Sequence, residues 1–192
     1  MNAASFPRDY FERLYSKETD PWRFASSHYE RVKYAKTLAA IGSRPLRNVF
    51  EIGCSIGILT RRLAARCNSL LAVDISETAI NRARRYCRGI DNIDFRRMQI
   101  PDEWPSRTFD LIILSEVLYF LSPEDIRLTA TKTMHSLSKD AEVLLVNWTG
   151  ETDYPCQGNQ AVEIFLSQTA KVLKPARQVR TKHYRLDSLT VF

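Results

Sequence analysis

The sequence predicts an α/β fold in which helices cover both faces of a mostly parallel sheet, with a helical segment in front of it. From residue 48 onward, short and almost continuously apolar segments alternate with segments of helical pattern, which is typical of doubly wound sheets. Residues 1–45 show helical patterns and are predicted to form an N-terminal cap or lid over a core at 46–192. The chain has 192 residues, 44% of them hydrophobic, which is enough for a single domain.

Two helices are predicted in the N-terminal cap. Aromatic and apolar residues between 6 and 14 recur at helical spacing, and Asp20-Pro21-Trp22 breaks that pattern. The segment Ser27-His28-Tyr29-Glu30 fits a capping box, in which the serine and the glutamate each bond a free backbone N–H. The second helix is therefore predicted to begin at Ser27 and to end near Ile41.

Five short apolar segments are predicted to be strands of the core. They are Val49–Ile52, Leu70–Asp74, Ile93–Phe95, Phe109–Leu114 and Glu142–Val146. Helices are predicted between them at Leu59–Cys67, from Ser76, from Ser122 and at Gln160–Leu173. Serine is a favoured N-cap residue, and a proline directly after Ser122 suits the first helical position.

Two further candidate strands complete a seven-stranded sheet. They lie near Val179–Leu186 and Leu189–Phe192. Because the last apolar segment runs up to Phe192, a truncated strand and a longer natural chain are left open at this stage.

The basic residues are not arranged as a nucleic-acid surface. They exceed the acidic residues by 28 to 22, which gives a net charge of +6. Arg61-Arg62, Arg82 to Arg88 and Arg96-Arg97 lie in different predicted elements. A nucleic-acid site requires basic side chains on one face, so no nucleic-acid partner is expected.

Neither a membrane span nor a secretory signal is indicated. The sequence has no run of about 18 apolar residues, which a transmembrane helix requires. Residues 1–9 lack the charged and then apolar pattern of a signal peptide. We therefore expect a cytoplasmic protein without stable membrane insertion.

The cysteines and histidines do not indicate a metal site. The cysteines are Cys54, Cys67, Cys87 and Cys156, and none forms a Cys-x-x-Cys pair. The three histidines are far apart and lack metal-ligand spacing. We expect reduced thiols and no metal.

One stretch carries the signature of a nucleoside site. Glu51-Ile52-Gly53-Cys54-Ser55-Ile56-Gly57 lies where the first strand turns into a helix, and glycines there allow a ligand to approach the backbone closely. Asp74 ends the second strand, 17 residues beyond Gly57. An acid at this place accepts hydrogen bonds from ribose hydroxyls.

The glycine spacing and one further acid indicate which nucleoside binds. A dinucleotide site prefers Gly-x-Gly-x-x-Gly, whereas the glycines here are Gly53 and Gly57. Glu51 precedes the turn by two residues, where a carboxylate repels pyrophosphate but attracts the ammonium of an amino-acid tail. This pattern favours S-adenosylmethionine over NAD.

The sequence resembles the class I S-adenosylmethionine-dependent methyltransferases. The resemblance rests on Glu51 to Gly57, on Asp74 and on Phe109-Asp110 at the fourth strand. It implies a Rossmann-like core, S-adenosylmethionine as cofactor with S-adenosylhomocysteine as product, and no metal. Ser55 stands where the family has another glycine, which is expected to change the loop without preventing binding.

A closer resemblance lies upstream. Residues 20–34, from Asp20-Pro21-Trp22 to Val32-Lys33-Tyr34, are similar to the entry segment of the nodulation protein S (NodS) methyltransferases. That resemblance implies N-methylation of the free amine of a deacetylated chitooligosaccharide during the biosynthesis of Nod factors, the rhizobial nodulation signals.

Candidate cofactor residues follow from the motifs and from the resemblance. They are Trp22, Arg31, Glu51, Gly53, Cys54, Gly57, Asp74, Ile75, Met98, Gln99 and Ser115. Arg31 is expected to pair with the methionine carboxylate, although a solvated helix arginine is an equally good interpretation. Met98 and Gln99 follow the third strand, where this fold commonly holds adenine.

Candidate acceptor residues follow the fourth and fifth strands. Glu116 and Tyr119 are the candidate catalytic residues, because a carboxylate near the acceptor amine can take a proton. Trp148 and Tyr154 are candidates for sugar contacts, because aromatic faces suit the apolar faces of sugar rings. Helix-terminus electrostatics for Glu116 and core packing for the aromatic residues are the alternatives.

Three other functions are alternatives to a methyltransferase of chitooligosaccharides. A methyltransferase acting on nucleic-acid bases is disfavoured, because Ser115-Glu116-Val117-Leu118 replaces the Asn/Asp-Pro-Pro-Tyr/Phe loop such enzymes commonly carry. A methyltransferase of another small acceptor and a non-catalytic S-adenosylmethionine-binding module both stay open.

Overall fold

The structure, a computed structural model, describes residues 4–42 and 44–192. Residues 1–3, which belong to the segment considered above for a signal peptide, and residue 43 lie outside the described residues. The helices are α1 (Arg8–Lys17), α2 (His28–Ala40), α3 (Ile58–Ala64), α4 (Glu77–Tyr86), α5 (Pro123–His135) and α6 (Gly158–Thr169). The strands are β1 (Leu46–Ile52), β2 (Cys67–Asp74), β3 (Ile93–Arg97), β4 (Phe109–Ser115), β5 (Leu137–Trp148), β6 (Leu173–Arg180) and β7 (Tyr184–Val191).

The strands form one sheet in the order β3-β2-β1-β4-β5-β7-β6. β1 to β5 pair in parallel, and β7 runs antiparallel to both of its neighbours. This confirms the predicted Rossmann-like, mostly parallel sheet of seven strands. The strand order reverses at β1, which lies between β2 and β4, and ligands bind at the carboxyl ends of strands at such a reversal.

Apolar side chains of the central strands pack on both faces of the sheet. In β1, Phe50 and Ile52 belong to the core on one face, and Val49 belongs to the core on the other. Successive side chains of a strand point to opposite faces, so continuously apolar segments fill both cores. This is why the central strands were recognisable from their composition.

Serine caps set the start of three helices as predicted. The Oγ atoms of Ser27, Ser76 and Ser122 accept hydrogen bonds from backbone N–H groups three residues further on, at 3.4, 3.1 and 3.1 Å. Each bond pairs one N–H that the helix itself leaves free.

The first cap helix is attached to the core through polar contacts. The Glu12 carboxylate of α1 accepts hydrogen bonds from the backbone N–H of Glu77 at 2.7 Å and from the Ser76 hydroxyl at 3.0 Å, at the N-terminus of α4. A carboxylate at this end of a helix is stabilised by the free N–H groups. Phe11 and Tyr15 are the buried residues of α1; Phe11 packs against Phe120, and the Tyr15 hydroxyl donates to Ser55.

The predicted terminal strands were wrong in their bounds. Residues 181–183 form a turn inside the predicted strand Val179–Leu186, and the segment 184–191 is one continuous strand. The turn is closed by Thr181, whose N–H donates to the Tyr184 carbonyl at 3.0 Å and whose hydroxyl accepts from the Tyr184 N–H at 3.0 Å. The turn contains neither glycine nor proline, which left it without a sequence signal.

Two helices end earlier in the structure than the sequence predicted. α3 ends at Ala64 and Cys67 already begins β2, whereas the prediction placed Cys67 in the helix. α6 ends at Thr169 and Leu173 begins β6. Among the described residues, no helix combines the length and the hydropathy needed to cross a membrane.

Candidate active site

A cavity of about 710 Å³ lies at the carboxyl ends of β1, β2 and β4, beneath α1 and the first turn of α2. Its size falls within the range of about 300–1,000 Å³ that small-molecule sites occupy. The site is therefore at the place that the strand order predicts.

The loop after β1 brings backbone to the cavity wall. Gly53 has φ 81°, and a Cβ atom at this position would lie 2.3 Å from Cγ2 of Val117. Gly57 has φ 87° and precedes α3, and a Cβ there would approach Ala83 to 3.1 Å. Both glycines are thus required by backbone conformation and by space.

Ser55 keeps the conformation of this loop although it is not a glycine. Its φ is 51°, in the left-handed region, and its Oγ accepts a hydrogen bond from the Tyr15 hydroxyl at 2.6 Å. Its N–H donates to Oδ2 of Asp74 at 2.9 Å. The substitution expected to alter the loop is accommodated by contacts to α1 and to β2.

Asp74 is held in place by two backbone donors. Besides Ser55, the N–H of Ser76 donates to its Oδ1 at 3.0 Å. Burial raises the pKa of Asp74 to about 6, although these backbone bonds oppose the shift. A carboxylate has about four acceptor sites, so two stay available for ligand hydroxyls.

Glu51 does not line the main cavity. It lies in the wall of a small adjoining cavity, is 1% exposed, and its Oε2 has no partner among the described residues. Burial raises the pKa of Glu51 to about 7. The charge on which the argument for an ammonium tail depended is therefore weakened at neutral pH.

A cluster of two carboxylates and one ammonium forms another part of the cavity wall. Nζ of Lys33 lies 2.9 Å from Oε1 of Glu30 and 2.6 Å from Oε1 of Glu116. The other oxygen of Glu116 accepts from the Tyr119 hydroxyl at 2.8 Å and from the Trp148 N–H at 2.8 Å. Glu116, with φ 59°, therefore connects α2 with the ends of β4 and β5.

Aromatic rings flank this cluster. Tyr119 and Tyr154 stack with centroids 5.5 Å apart, and Trp148 stacks on His183 at 5.4 Å with an interplanar angle of 8°. Tyr29 meets the Trp148 ring edge-on at 6.3 Å. Such rings offer faces for apolar groups and polar tips for hydroxyls.

Most of the residues predicted for the site line the cavity. They are Trp22, Gly53, Asp74, Ile75, Met98, Gln99, Ser115, Glu116, Tyr119, Trp148 and Tyr154. Met98 is fixed by a hydrogen bond from its N–H to the Asp74 carbonyl at 2.9 Å, and the N–H of Gln99 donates to Glu103 at 2.6 Å.

The structure does not bring four predicted residues to this cavity. Besides Glu51, these are Arg31, Cys54 and Gly57. Arg31 is exposed, and its guanidinium donates to the Ser26 carbonyl at 3.0 Å, which matches the alternative of a solvated helix arginine. The Cys54 thiol is buried in a hydrophobic core, and Gly57 shapes the turn.

Among the cavity residues that the sequence did not indicate are three with polar contacts at the site. Tyr15 supports Ser55, and Glu30 and Lys33 complete the charged cluster. Lys33 lies in the segment 20–34 that resembles the NodS entry segment. Nothing in that segment indicates that its partner is Glu116, 83 residues away. In the part of the chain that the structure describes, no group of three or more histidine, cysteine or acidic residues has the arrangement of a metal site.

Comparison with known proteins decides the family. The model of one family, described as Nodulation protein S (NodS), matches residues 8–157, which is more than half of the chain. The chain belongs to the nodulation protein S family. The resemblance first seen in residues 20–34 is thereby confirmed.

Curated members of the NodS family show the same relationship. Nodulation protein S of Rhizobium tropici is 34% identical over 103 residues, covering 53% of this chain and 43% of the relative. Nodulation protein S of Sinorhizobium fredii is 31% identical over 119 residues, covering 62% of this chain and 54% of the relative. This chain thus spans about half the length of the curated relatives it matches.

Solved structures share the fold. N-methyltransferase NodS of Bradyrhizobium japonicum WM9, solved with S-adenosyl-L-homocysteine, has a TM-score of 0.82 at 22% identity and covers 96% of this chain and 97% of its own. A DhpI complex with S-adenosylhomocysteine has a TM-score of 0.78 at 17% identity, with 96% and 94% covered. At these identities the likeness concerns the fold.

Proposed function

We propose that this NodS-family chain is an S-adenosylmethionine-dependent N-methyltransferase that acts on the primary amine of a deacetylated chitooligosaccharide. The observation that carries the proposal is one cavity with two chemically different parts. Asp74 and the Gly53 backbone suit a nucleoside, and the cluster around Glu116 suits an amine beside sugar rings. Family membership and the N-methyltransferase NodS structure with S-adenosylhomocysteine support the same assignment.

The residues present fit the cofactor. Asp74 has acceptor sites left for ribose hydroxyls, and Gly53 leaves its backbone accessible. Ile75, Met98 and Gln99 follow β2 and β3 in the wall and suit a flat adenine ring. When bound, S-adenosylmethionine supplies a methyl group on a positively charged sulfur, and the carbon–sulfur bond breaks as the new carbon–nitrogen bond forms.

The acceptor part of the cavity has aromatic surfaces of defined orientation. Glu116 holds the Tyr119 hydroxyl and the Trp148 backbone, so we assign it the role of positioning these rings. Tyr154 stacks on Tyr119 and extends the same surface. An in-line methyl transfer needs alignment above all, and rings fixed in this way provide it for a sugar.

The nitrogen of the acceptor is proposed to be an amine rather than an acetamide. The lone pair of an amide nitrogen is delocalised into the carbonyl group, which makes it a poor nucleophile. A deacetylated sugar carries an ammonium group below the pKa of its amine, and a cavity wall with more carboxylates than ammonium groups attracts it. Removal of one acetyl group is therefore expected to create a substrate.

A labelled-methyl transfer assay tests the proposal. The acceptors are chitotetraose with a free amine at its non-reducing end, fully acetylated chitotetraose and a panel of small primary amines. We expect label in the first compound and none in the second. Transfer to small amines alone would replace the sugar assignment, and binding of S-adenosylhomocysteine without any transfer would favour a non-catalytic binding module.

A further inference from the structure

Glu30 does not act as the carboxylate of a capping box. In that motif the glutamate bonds the N–H of the N-cap residue, but here the Ser27 N–H donates to the Arg23 carbonyl at 2.9 Å. Only the serine half of the motif is formed, with Ser27 Oγ accepting from the Glu30 N–H. The Glu30 side chain is instead 9% exposed and points to Lys33, so its burial needs another reason.

The charges of the cluster do not balance. Lys33 is one ammonium shared by two carboxylates, which leaves a formal charge of −1 on the three side chains. Both oxygens of Glu116 are engaged, by Lys33 on one side and by Tyr119 and Trp148 on the other. Oε2 of Glu30 is buried and has no partner among the described residues. Such an oxygen is costly to bury unless a proton or a cation completes it.

The surrounding groups determine which residue responds to protonation. Burial alone lowers the pKa of Lys33, but Glu116 and Glu30 outweigh it and the net shift is upward, so Lys33 stays an ammonium. Burial raises the pKa of Glu30; Lys33 opposes this shift, and Glu116 and Asp20 add to it. Burial, together with Glu30 and Glu116, raises the pKa of the neighbouring Tyr29, Tyr34 and Tyr119, so these hydroxyls stay neutral.

We infer that the carboxylate of Glu30, a residue of the cavity wall whose Oε2 has no partner among the described residues, binds the ammonium of the acceptor and takes its proton. The inference rests on the proposed function, because it assigns a residue to the acceptor amine. The cationic acceptor supplies the positive charge that the cluster lacks. Glu116 then has the separate role of positioning Tyr119, Trp148 and Lys33.

The proton balance of the step is complete. One proton passes from the ammonium to the carboxylate of Glu30, leaving a neutral amine with a free electron pair and a neutral carboxylic acid. That electron pair forms the new bond to the methyl carbon, while the electrons of the carbon–sulfur bond remain on sulfur. The product is a secondary ammonium, and Glu30 returns its proton to water when the products leave. The step needs no oxidant, reductant or metal.

Glu30→Gln is the decisive variant, and Glu124→Gln on an exposed part of α5 is the matched control. Binding of S-adenosylhomocysteine, measured by calorimetry, is expected to change less than threefold in Glu30→Gln. Binding of the amine-bearing chitotetraose to the complex with S-adenosylhomocysteine is expected to weaken by about tenfold or more, as for a lost hydrogen bond to a charged group. Binding of the acetylated tetraose is expected to stay the same.

The pH profile separates proton transfer from a structural defect. We expect kcat of Glu30→Gln to fall by about tenfold or more at a pH well below the pKa of the sugar amine, where the acceptor arrives protonated and needs a general base. The deficit is expected to shrink as the pH rises toward the pKa of the sugar amine, because the amine then arrives without its proton. Glu30→Asp is expected to recover part of the loss. A defect in folding or cofactor binding would not diminish with pH in this way.

The outcomes separate the two proposals. If the wild-type protein neither binds S-adenosylhomocysteine nor methylates the amine-bearing tetraose, the proposed function fails and the inference fails with it. If the wild type is active but Glu30→Gln keeps its kcat within twofold, or loses activity equally at every pH, only the inference is overturned. If Glu30→Gln does not fold, the wild-type protein with bound S-adenosylhomocysteine provides the test. Equal affinity of this complex for the amine-bearing and the acetylated tetraose would overturn the inference.

Discussion

Ser55→Gly tests how the loop after β1 keeps a left-handed residue that is not glycine. A side chain at φ 51° costs about 1–2 kcal/mol, which glycine would remove. The variant also removes the partner of the Tyr15 hydroxyl, and Tyr15 is 2% exposed. An unpaired buried hydroxyl costs about 1–3 kcal/mol, and the freedom of glycine in the unfolded chain costs about 0.5–1 kcal/mol.

The balance of these terms is a net loss. We expect Ser55→Gly to lower the free energy of unfolding by about 1 kcal/mol, although it relieves strain. Tyr15→Phe is expected to cost about 1 kcal/mol, the usual net value of a hydrogen bond. The double variant has neither an unpaired hydroxyl nor a strained serine, so its stability is expected to be close to that of the wild type. The coupling between the two residues is then about 2 kcal/mol.

Urea unfolding of the four proteins at one pH, without ligand, measures this coupling. The slope of the unfolding free energy against urea concentration is expected to be the same in all four proteins, as it is when their unfolded states are comparable. Tyr86→Phe combined with Ser55→Gly is the control, because Tyr86 is 47% exposed and is expected to show no coupling. If the effects of Tyr15→Phe and Ser55→Gly add to within about 0.5 kcal/mol, the hydrogen bond does not hold the loop and the reasoning is refuted.

Three further predictions concern the cofactor and the cap. Asp74→Ala is expected to weaken binding of S-adenosylhomocysteine, measured by calorimetry, by about 10- to 100-fold, or about 1.5–3 kcal/mol. Unchanged affinity in the folded variant would mean that another residue binds the ribose. The pKa of Glu12 is lowered because the hydrogen bonds from α4 outweigh burial, so its contribution to stability is present above pH 4.5 and is lost as the pH falls through the lowered value. Glu12→Gln is expected to make the free energy of unfolding, measured with urea, depend less on pH between about pH 3 and 6. An unchanged pH dependence would contradict this prediction. Hydrogen exchange in residues 4–30 is expected to slow when S-adenosylhomocysteine binds, and equal exchange in both states would count against a lid.

The parts of the fold that were predictable have local causes. The cap at Ser76 depends on a backbone N–H three residues away, and the burial of β1 depends on its own apolar run. β6 was predicted only at its end, as the beginning of the candidate strand Val179–Leu186, because it is an edge strand with mostly exposed side chains and has no apolar run to mark it. The apolar pattern resumes only at Tyr184, so the predicted strand Val179–Leu186 ran across the turn at residues 181–183.

The charged cluster was not predictable from its own segment. Both positions of the Glu30 carboxylate, at the N-cap or against Lys33, are compatible with the sequence Ser-x-x-Glu. The third member of the cluster, Glu116, pairs with Lys33 and is brought near by the sheet and not by spacing along the chain. The same limit applies to the bond between Tyr15 and Ser55, which joins the cap to the loop after β1.

The buried face of α2 serves the cavity in its first part, because Glu30 and Lys33 line the cavity while Tyr34 packs in a hydrophobic core. Its buried residues are Glu30, Lys33, Tyr34 and Thr37, which follow the spacing of an ordinary inward face but are mostly polar. Arg31 lies on the exposed side, so apolar periodicity gave no means to tell the two sides apart. Burying polar and charged groups costs free energy that leucine at the same positions would not, and departures of this kind are expected where a site needs them. The inward position of Glu30 is thus better explained by a ligand than by packing.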